Sequence, residues 1–307
     1  MTSASPAATL SAAPARAGWR GRGPLPLATV LLALLVIWYG AAVWLNAPQV
    51  IDIAFRDKPG WTARELVAAT WSMERPILPA PHQIAEDFYE SVFERSITSR
   101  RSLAYHATVT ASATVVGFAL GIALGVLLAI GIVHLRTLDR SLLPWIIASQ
   151  TIPILAIAPM IIVVLGNIGF TGLLPKAIIS MYLCFFPVTI GMVKGLRSPD
   201  PLQLDLMRTY SASPAQVLWK LRSPASVPFL FASLKVAIGI SLVGAIVGEL
   251  PTGAQEGIGA RLLTGSYYGQ TIQIWSALVM AALLGVVLVA LVSLIERITL
   301  RFMGAQS

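Results

Sequence analysis

Apolar residues fall in long blocks along this chain, separated by polar connections. Six blocks approach the ~20 residues that a helix needs to cross a hydrocarbon core, at about 26–45, 105–133, 142–165, 172–195, 229–250 and 272–296. The pattern predicts an all-α polytopic membrane protein with six transmembrane helices. The first block follows Arg16, Arg20 and Arg22, as the core of a signal peptide would. It is longer than the usual core of about 7–15 residues and the site after it is poor for cleavage, so an uncleaved helix is expected. The chain divides into a disordered tail at 1–24, a first transmembrane helix at 25–46, a polar loop at 47–104, a membrane core at 105–300 and a short tail at 301–307.

One long polar interruption, 200–228, breaks the core. Two short helices are written into it by local signals. Asp200-Pro201-x-Gln203 supplies an N-cap, a proline at the first helical position and a capping-box glutamine, and Ser213-Pro214-x-Gln216 repeats that grammar thirteen residues later. Ser223-Pro224 and Pro228 are expected to end the second helix. Neither helix can span a bilayer, so the pair reads as a folded docking surface.

Composition supports the membrane reading. Of 307 residues 56% are hydrophobic and 12% charged, against about 25% charged in soluble domains. The formal charge of +8 is carried mainly in loops, with no basic stripe interleaved with aromatics, which argues against nucleic acid as a partner. Cys184 is the only cysteine, so no intrachain disulfide forms. Lys and Arg set the orientation. With the N-terminus inside, the inner segments hold Arg136, Arg140, Arg197, Arg208, Lys220, Arg222, Arg297 and Arg301, whereas the short loops near 166–172 and 251–271 hold only Arg261. Both termini and residues 196–228 are therefore expected in the cytoplasm. In the outer loop, Ile84, Phe88 and Val92 recur every fourth residue opposite Glu86, Glu90 and Glu94, predicting an amphipathic helix on the membrane face or packed on the spans, with a binding-protein contact as the alternative.

Within the spans, Gly117, Gly121 and Gly125 form a stripe that lets another helix approach closely, inside this chain or in a second copy. Pro144, Pro153, Pro159, Pro175 and Pro187 predict bent helices. Polar groups at membrane depth are few: Gln150 and Thr151 are candidates for the substrate path, and so is Glu249, which alternatively is a hydrated carboxylate near the interface. Lys194 and Lys235 are expected to snorkel to headgroups. His82, His106 and His134 show no metal-ligand spacing, so no metal is expected. No phosphate loop, H-E-x-x-H or G-x-S-x-G is present, and no row of intramembrane carboxylates. The chain therefore offers no catalytic residue and binds no cofactor of its own, and any energy for uphill transport enters from another subunit.

Residues 205–228 resemble the EAA loop of binding-protein-dependent ABC importer permeases, whose pattern is E-A-A-x-x-x-G-A-S followed by L-P-x-A-x-P. Asp205 stands at the glutamate, Ser211 at the glycine, Ala212 and Ser213 follow in register, and Pro224 and Pro228 close the pattern. Leu206 and Met207 replace the alanines, and Ser223 the leucine. A glycine permits positive φ at the turn between the helices, whereas Ser211 adopts it at a cost or bends differently. The stretches LPAPHQIAEDF, SQTIPILAIAPMIIVVLGNIG and GELPTGAQEGIGARL resemble the nitrate/sulfonate/taurine-type permeases, a group that includes permeases for thiamine-precursor pyrimidines and riboflavin; the likeness covers about residues 77–300. It implies a type I ABC importer permease fold in a bacterial inner membrane, with the loop 200–228 as cytoplasmic coupling helices. It also implies three partners: cytoplasmic ATPase subunits that use the ATP, an extracytoplasmic solute-binding protein, and a second permease copy. Arg208, Tyr210 and Trp219 are then contact side chains for the ATPase. An ion-coupled carrier or channel working without an ATPase is the alternative reading.

Overall fold

The computed structural model describes residues 25–56, 60–251 and 256–304; the tail expected at 1–24 and residues 305–307 lie outside them. Among the described residues every regular element is helical. Long helices α1 (Leu25–Ala54), α4 (Leu103–His134), α7 (Leu173–Leu196), α10 (Ser223–Glu249) and α12 (Thr271–Phe302) are each apolar and long enough to cross a membrane. Two short helices, α2 (Ala63–Trp71) and α3 (Pro81–Tyr89), join α1 to α4, and a single π turn, Glu90–Glu94, extends α3. Helices α5 (Arg136–Ser149) and α6 (Ile154–Asn167) follow α4. Between α7 and α10 lie α8 (Pro201–Thr209) and α9 (Pro214–Val217), and between α10 and α12 lies α11 (Ile258–Tyr267).

The first, third and last spans differ from the sequence expectation, as does the start of the fifth. The first span runs through Pro48 to Ala54, and the last helix continues to Phe302. The span expected at 142–165 is two half-helices, α5 and α6, meeting at 100°. Pro153 brings no N–H to the break, and the last carbonyls of α5 are closed by tight bonds from Gln150 N to Ile147 O (3.2 Å) and Thr151 N to Ala148 O (3.0 Å). Pro144 and Pro159, by contrast, sit inside their helices.

Helix α7 forms the centre, with α4 on one side and α10 on the other. The glycine stripe decides the first contact: a Cβ at Gly117, Gly121 or Gly125 would run into Ser180, Cys184 or Val188, one turn apart along α7. The stripe is thus used within the chain. Hydroxyls join the three helices, with Ser180 Oγ donating to Ser241 O (2.8 Å) and Ser241 Oγ donating to Thr114 O (3.0 Å). Such bonds between membrane helices contribute about 0.6–2 kcal/mol each, because lipid already solvates the apolar faces and close packing must supply the rest. Cys184, Val188, Leu234, Ile238, Leu288 and Val292 fill the space between α7, α10 and α12.

The short helices cap the end of the bundle opposite α8. The buried side chain of Asn46 fixes the strap before α3: its Nδ2 donates to Leu78 O (2.8 Å) and its Oδ1 accepts from Ile77 N (2.8 Å) and Leu78 N (3.2 Å). The amphipathic stretch packs on the spans. Ile84 is buried, and Phe88 and Val92 lie against Leu103, Ile258 and Ala277.

Candidate functional site: the α8–α9 projection and the α11 clamp

The capping signals at 200–228 are realised atom by atom. Asp200 Oδ1 accepts from Leu202 N (2.8 Å), and Gln203 Oε1 accepts from Asp200 N (3.3 Å). Ser213 Oγ accepts from Gln216 N (3.3 Å), and Gln216 Oε1 accepts from Ser213 N (2.8 Å). Each pair satisfies orphan donors at a helix start. Helix α8 stops in a Schellman turn: Ser211 N donates to Arg208 O (2.8 Å) and Ala212 N to Met207 O (3.0 Å). The turn needs a left-handed residue after the cap, and Ser211, with φ of 52°, supplies it. It is the only non-glycine residue with positive φ among those described.

Helix α8 buries none of its residues. Leu204 and Met207 are half-buried, whereas Leu202 (77% exposed), Leu206 (56%) and Tyr210 (77%) recur every fourth residue along the outward face. Trp219 adds a fourth large exposed group at 68%. Asp205 and Arg208 pair with each other at 2.9 Å in full exposure, which orients the guanidinium and contributes at most about 1 kcal/mol.

The second helix does not end at its prolines. Helix α9 passes through a single π turn, Leu218–Arg222, into α10, giving one continuous helix from Pro214 to Glu249. Ser223 N donates to Leu218 O five residues back, so the ladder shifts register just before Pro224, which has no N–H to give. Pro224 and Pro228 are accommodated inside the helix, both exposed.

The three candidates for the substrate path are placed apart. Gln150 and Thr151 sit at the α5–α6 break, where Thr151 Oγ1 donates to Ala148 O (2.8 Å) and Gln150 Nε2 to Ser149 Oγ (3.2 Å). Glu249 is not a hydrated interfacial carboxylate; it is fully buried. It belongs to a clamp that no sequence spacing announced. Three successive backbone N–H groups open α11, and each meets a buried side chain. Gly257 N donates to His106 Nδ1 (2.9 Å), Ile258 N to Thr110 Oγ1 (2.8 Å) and Gly259 N to Glu249 Oε2 (2.8 Å). Thr110 Oγ1 lies 2.9 Å from Glu249 Oε1, and Lys176 Nζ approaches the same oxygen at 3.8 Å. Because His106 Nδ1 accepts, Nε2 carries the proton and donates to Arg100 O (2.8 Å). A carboxylate at a helix N-terminus also gains from the helix dipole. The local signal was Gly257-x-Gly259: a Cβ at either glycine would collide with Glu249.

The lysines differ from expectation in part. Lys235 does not snorkel but pairs with Glu296 of α12 (2.5 Å), and exposed Lys194 lies over the Phe229 ring, 5.8 Å from its centre. The two ring nitrogens of His82 meet Tyr39 Oη and Trp71 O (3.2 Å each), and His134 Nδ1 meets Ile130 O (2.9 Å). Among the described residues no group of His, Cys, Asp and Glu could hold a metal ion.

Residues 121–303 match the family described as binding-protein-dependent transport system inner membrane component. The chain is 33% identical over 226 residues to the riboflavin transport system permease protein of Chloroflexus aurantiacus, spanning 74% of this chain and 80% of that one. It is 30% identical over 227 residues to the formylaminopyrimidine transport permease protein of Halalkalibacterium halodurans, spanning 73% and 85%. To the putative aliphatic sulfonates transport permease protein of Bacillus subtilis it is 25% identical over 268 residues, spanning 84% and 93%.

Proposed function

Since this chain belongs to the binding-protein-dependent transport system inner membrane component family of ABC importer permeases, we propose that it forms the translocation path of an ATP-driven importer whose ATPase docks on α8 and α9. The observation that carries this reading is the exposed stripe Leu202, Leu206 and Tyr210, joined by Trp219, on a capped helix that leaves the bundle between α7 and α10. Large apolar side chains so grouped outside the hydrocarbon mark a protein contact. Asp205, Arg208, Ser211, Ala212 and Ser213 hold the stripe in shape, and Pro224 and Pro228 mark where the second helix enters the membrane.

The mechanism is alternating access. ATP binding draws the two ATPase subunits together, each carrying the α8–α9 projection of one of two permease copies, and the motion passes into the spans. Rigid transmission requires a defined element rather than a slack loop, and the double capping with the Schellman turn supplies one. The chain performs no chemistry; ATP hydrolysis takes place on the partner. The Lys and Arg distribution supports a bacterial inner-membrane orientation with both termini in the cytoplasm. An extracytoplasmic binding protein then delivers the solute at the α3–α11 end. Two of the relatives at 30% identity or above carry heterocycles by name, which supports a vitamin-like heterocycle as the solute.

The reading is tested by Leu206→Asp and Tyr210→Asp, separately, in the complex with its ATPase. Each is expected to weaken ATPase co-purification at least tenfold while the permease keeps its melting temperature. Full ATPase association in both variants, or uptake driven by an ion gradient without any ATPase, would overturn it.

A further inference from the structure

At the end of the bundle capped by α3 and α11, an open cleft of about 520 Å³ is lined by Arg95, Arg101, Arg261, Thr264, Tyr268 and Gln273. Three guanidinium groups share it, and among the described residues none of them makes an ion pair. Arg95 spends one N–H on the carbonyl of Arg101 (3.2 Å). The Nε of Arg261 is buried and has no hydrogen-bond acceptor among the described residues. Burial pushes the Arg261 guanidinium below its ordinary range, Asp87 opposes that fall, and the charge of Arg95 adds to it. Among the described residues Asp87, in the adjoining cleft, is the one carboxylate that acts on Arg261, and it closes no ion pair with it, so three like charges are left undercompensated and the Nε of Arg261 without an acceptor. Arginine suits an acidic partner because its planar fork binds a carboxylate through two parallel bonds.

Directly beside it lies a second cleft of about 400 Å³, lined by Glu74, Glu86, Asp87 and Glu90, and the two clefts share Gln270 and Gln273. Arg75 is the one basic residue lining this second cleft. A small free anion would be drawn to the first cleft and gain nothing from the second. A protein surface that sets an acidic side chain next to a basic one would engage both, and paired patches of opposite sign fix the register of an encounter.

We infer that the Arg95–Arg101–Arg261 cleft receives an acidic side chain of the solute-binding protein, with the neighbouring acidic cleft taking a basic one, so that the delivering protein seats in one orientation. This rests on the importer reading given above. Arg95 and Arg101 are exposed on the rim and would steer the approach, whereas Arg261, half-buried and with its carbonyl accepting from Gln273 of α12 (3.3 Å), would make the seated contact. Residues of the α8–α9 projection lie at the other end and take no part.

The test uses the permease–ATPase complex in nanodiscs and the solute-binding protein of the same transporter. Affinity is measured at about 50 and 300 mM salt for the native complex, for Arg95→Glu, and for Arg261→Gln. Each variant is expected to weaken binding about tenfold or more, and Arg95→Glu to flatten the salt dependence. ATPase co-purification through α8 should remain unchanged in both, which also reports that they fold. Equal affinity across the three overturns the inference and leaves the importer reading standing. No complex with the native permease overturns both. Inorganic phosphate at millimolar concentration, raising the melting temperature of the native protein but not of Arg95→Glu while binding-protein affinity stays unaltered, would assign the cleft to a free anion and overturn the docking assignment.

Discussion

Ser211 shows how a single backbone angle carries an element boundary. A left-handed conformation costs a residue with a side chain roughly 1 kcal/mol relative to glycine, and α8 tolerates this because its Schellman turn closes two carbonyls. Ser211→Gly is therefore expected to raise stability by up to about 1 kcal/mol and keep ATPase association, whereas Ser211→Val, β-branched at positive φ, should lower both. Thermal unfolding in nanodiscs and co-purification read the two effects; a destabilised glycine variant would refute the strain argument. The position was legible in the sequence because the register of the loop put a glycine-requiring turn there. Glu249 was legible only as an anomaly. Its acceptor role emerges from Thr110, 139 residues away, in a clamp that also needs His106 to receive the N–H of Gly257, 151 residues on. No window of sequence contains those contacts, although Gly257-x-Gly259, where neither residue can carry a Cβ, was a local trace of the carboxylate behind it.

At the scale of elements, prolines were the ambiguous signal. Pro153 marks a complete break, while Pro224 and Pro228 are absorbed into a continuous helix. The difference lies in what surrounds the missing donor. Before Pro153 the polar Gln150 and Thr151 turn back on α5, whereas before Pro224 the π turn has already moved the ladder by one residue. Hydropathy points the wrong way here, since the apolar run continues across the break at Pro153, whereas Pro224 and Pro228 lie in the polar interruption 200–228 that the helix runs through. The π turn yields a prediction of its own. Inserting one alanine after Val217, which the π turn beside it has no room to absorb, turns everything before it by about 100° around the helix axis. The membrane core should keep its melting temperature, and ATPase association should fall at least tenfold as the Leu202–Leu206–Tyr210 stripe faces away. Unchanged association would show that the projection docks without a fixed rotational setting.

At the scale of the molecule, blocks of hydropathy announced most of the spans but not their order in space. The glycine stripe of α4 promised a close neighbour; only the fold identifies it as α7, packed against α10 on its other side. What the path carries belongs to this scale too, because no single side chain dictates a ligand. Cells expressing the full transporter are expected to take up riboflavin or formylaminopyrimidine at least tenfold faster than taurine or nitrate; the reverse ranking would discard the heterocycle assignment. The continuous helix Pro214–Glu249 has a mechanical consequence. Its 36 residues extend for about 54 Å, well beyond a hydrocarbon core of about 30 Å. Its far end is pinned by the α11 clamp, so the helix is a lever with its fulcrum near Glu249. A tilt of about 5° there would sweep the tip at Pro214 through about 5 Å, roughly one helical turn. Small angular changes within a tightly packed core are thus magnified where the motor would push, and a short stroke by the motor is geared down to the fine adjustment that close-packed glycine contacts can tolerate.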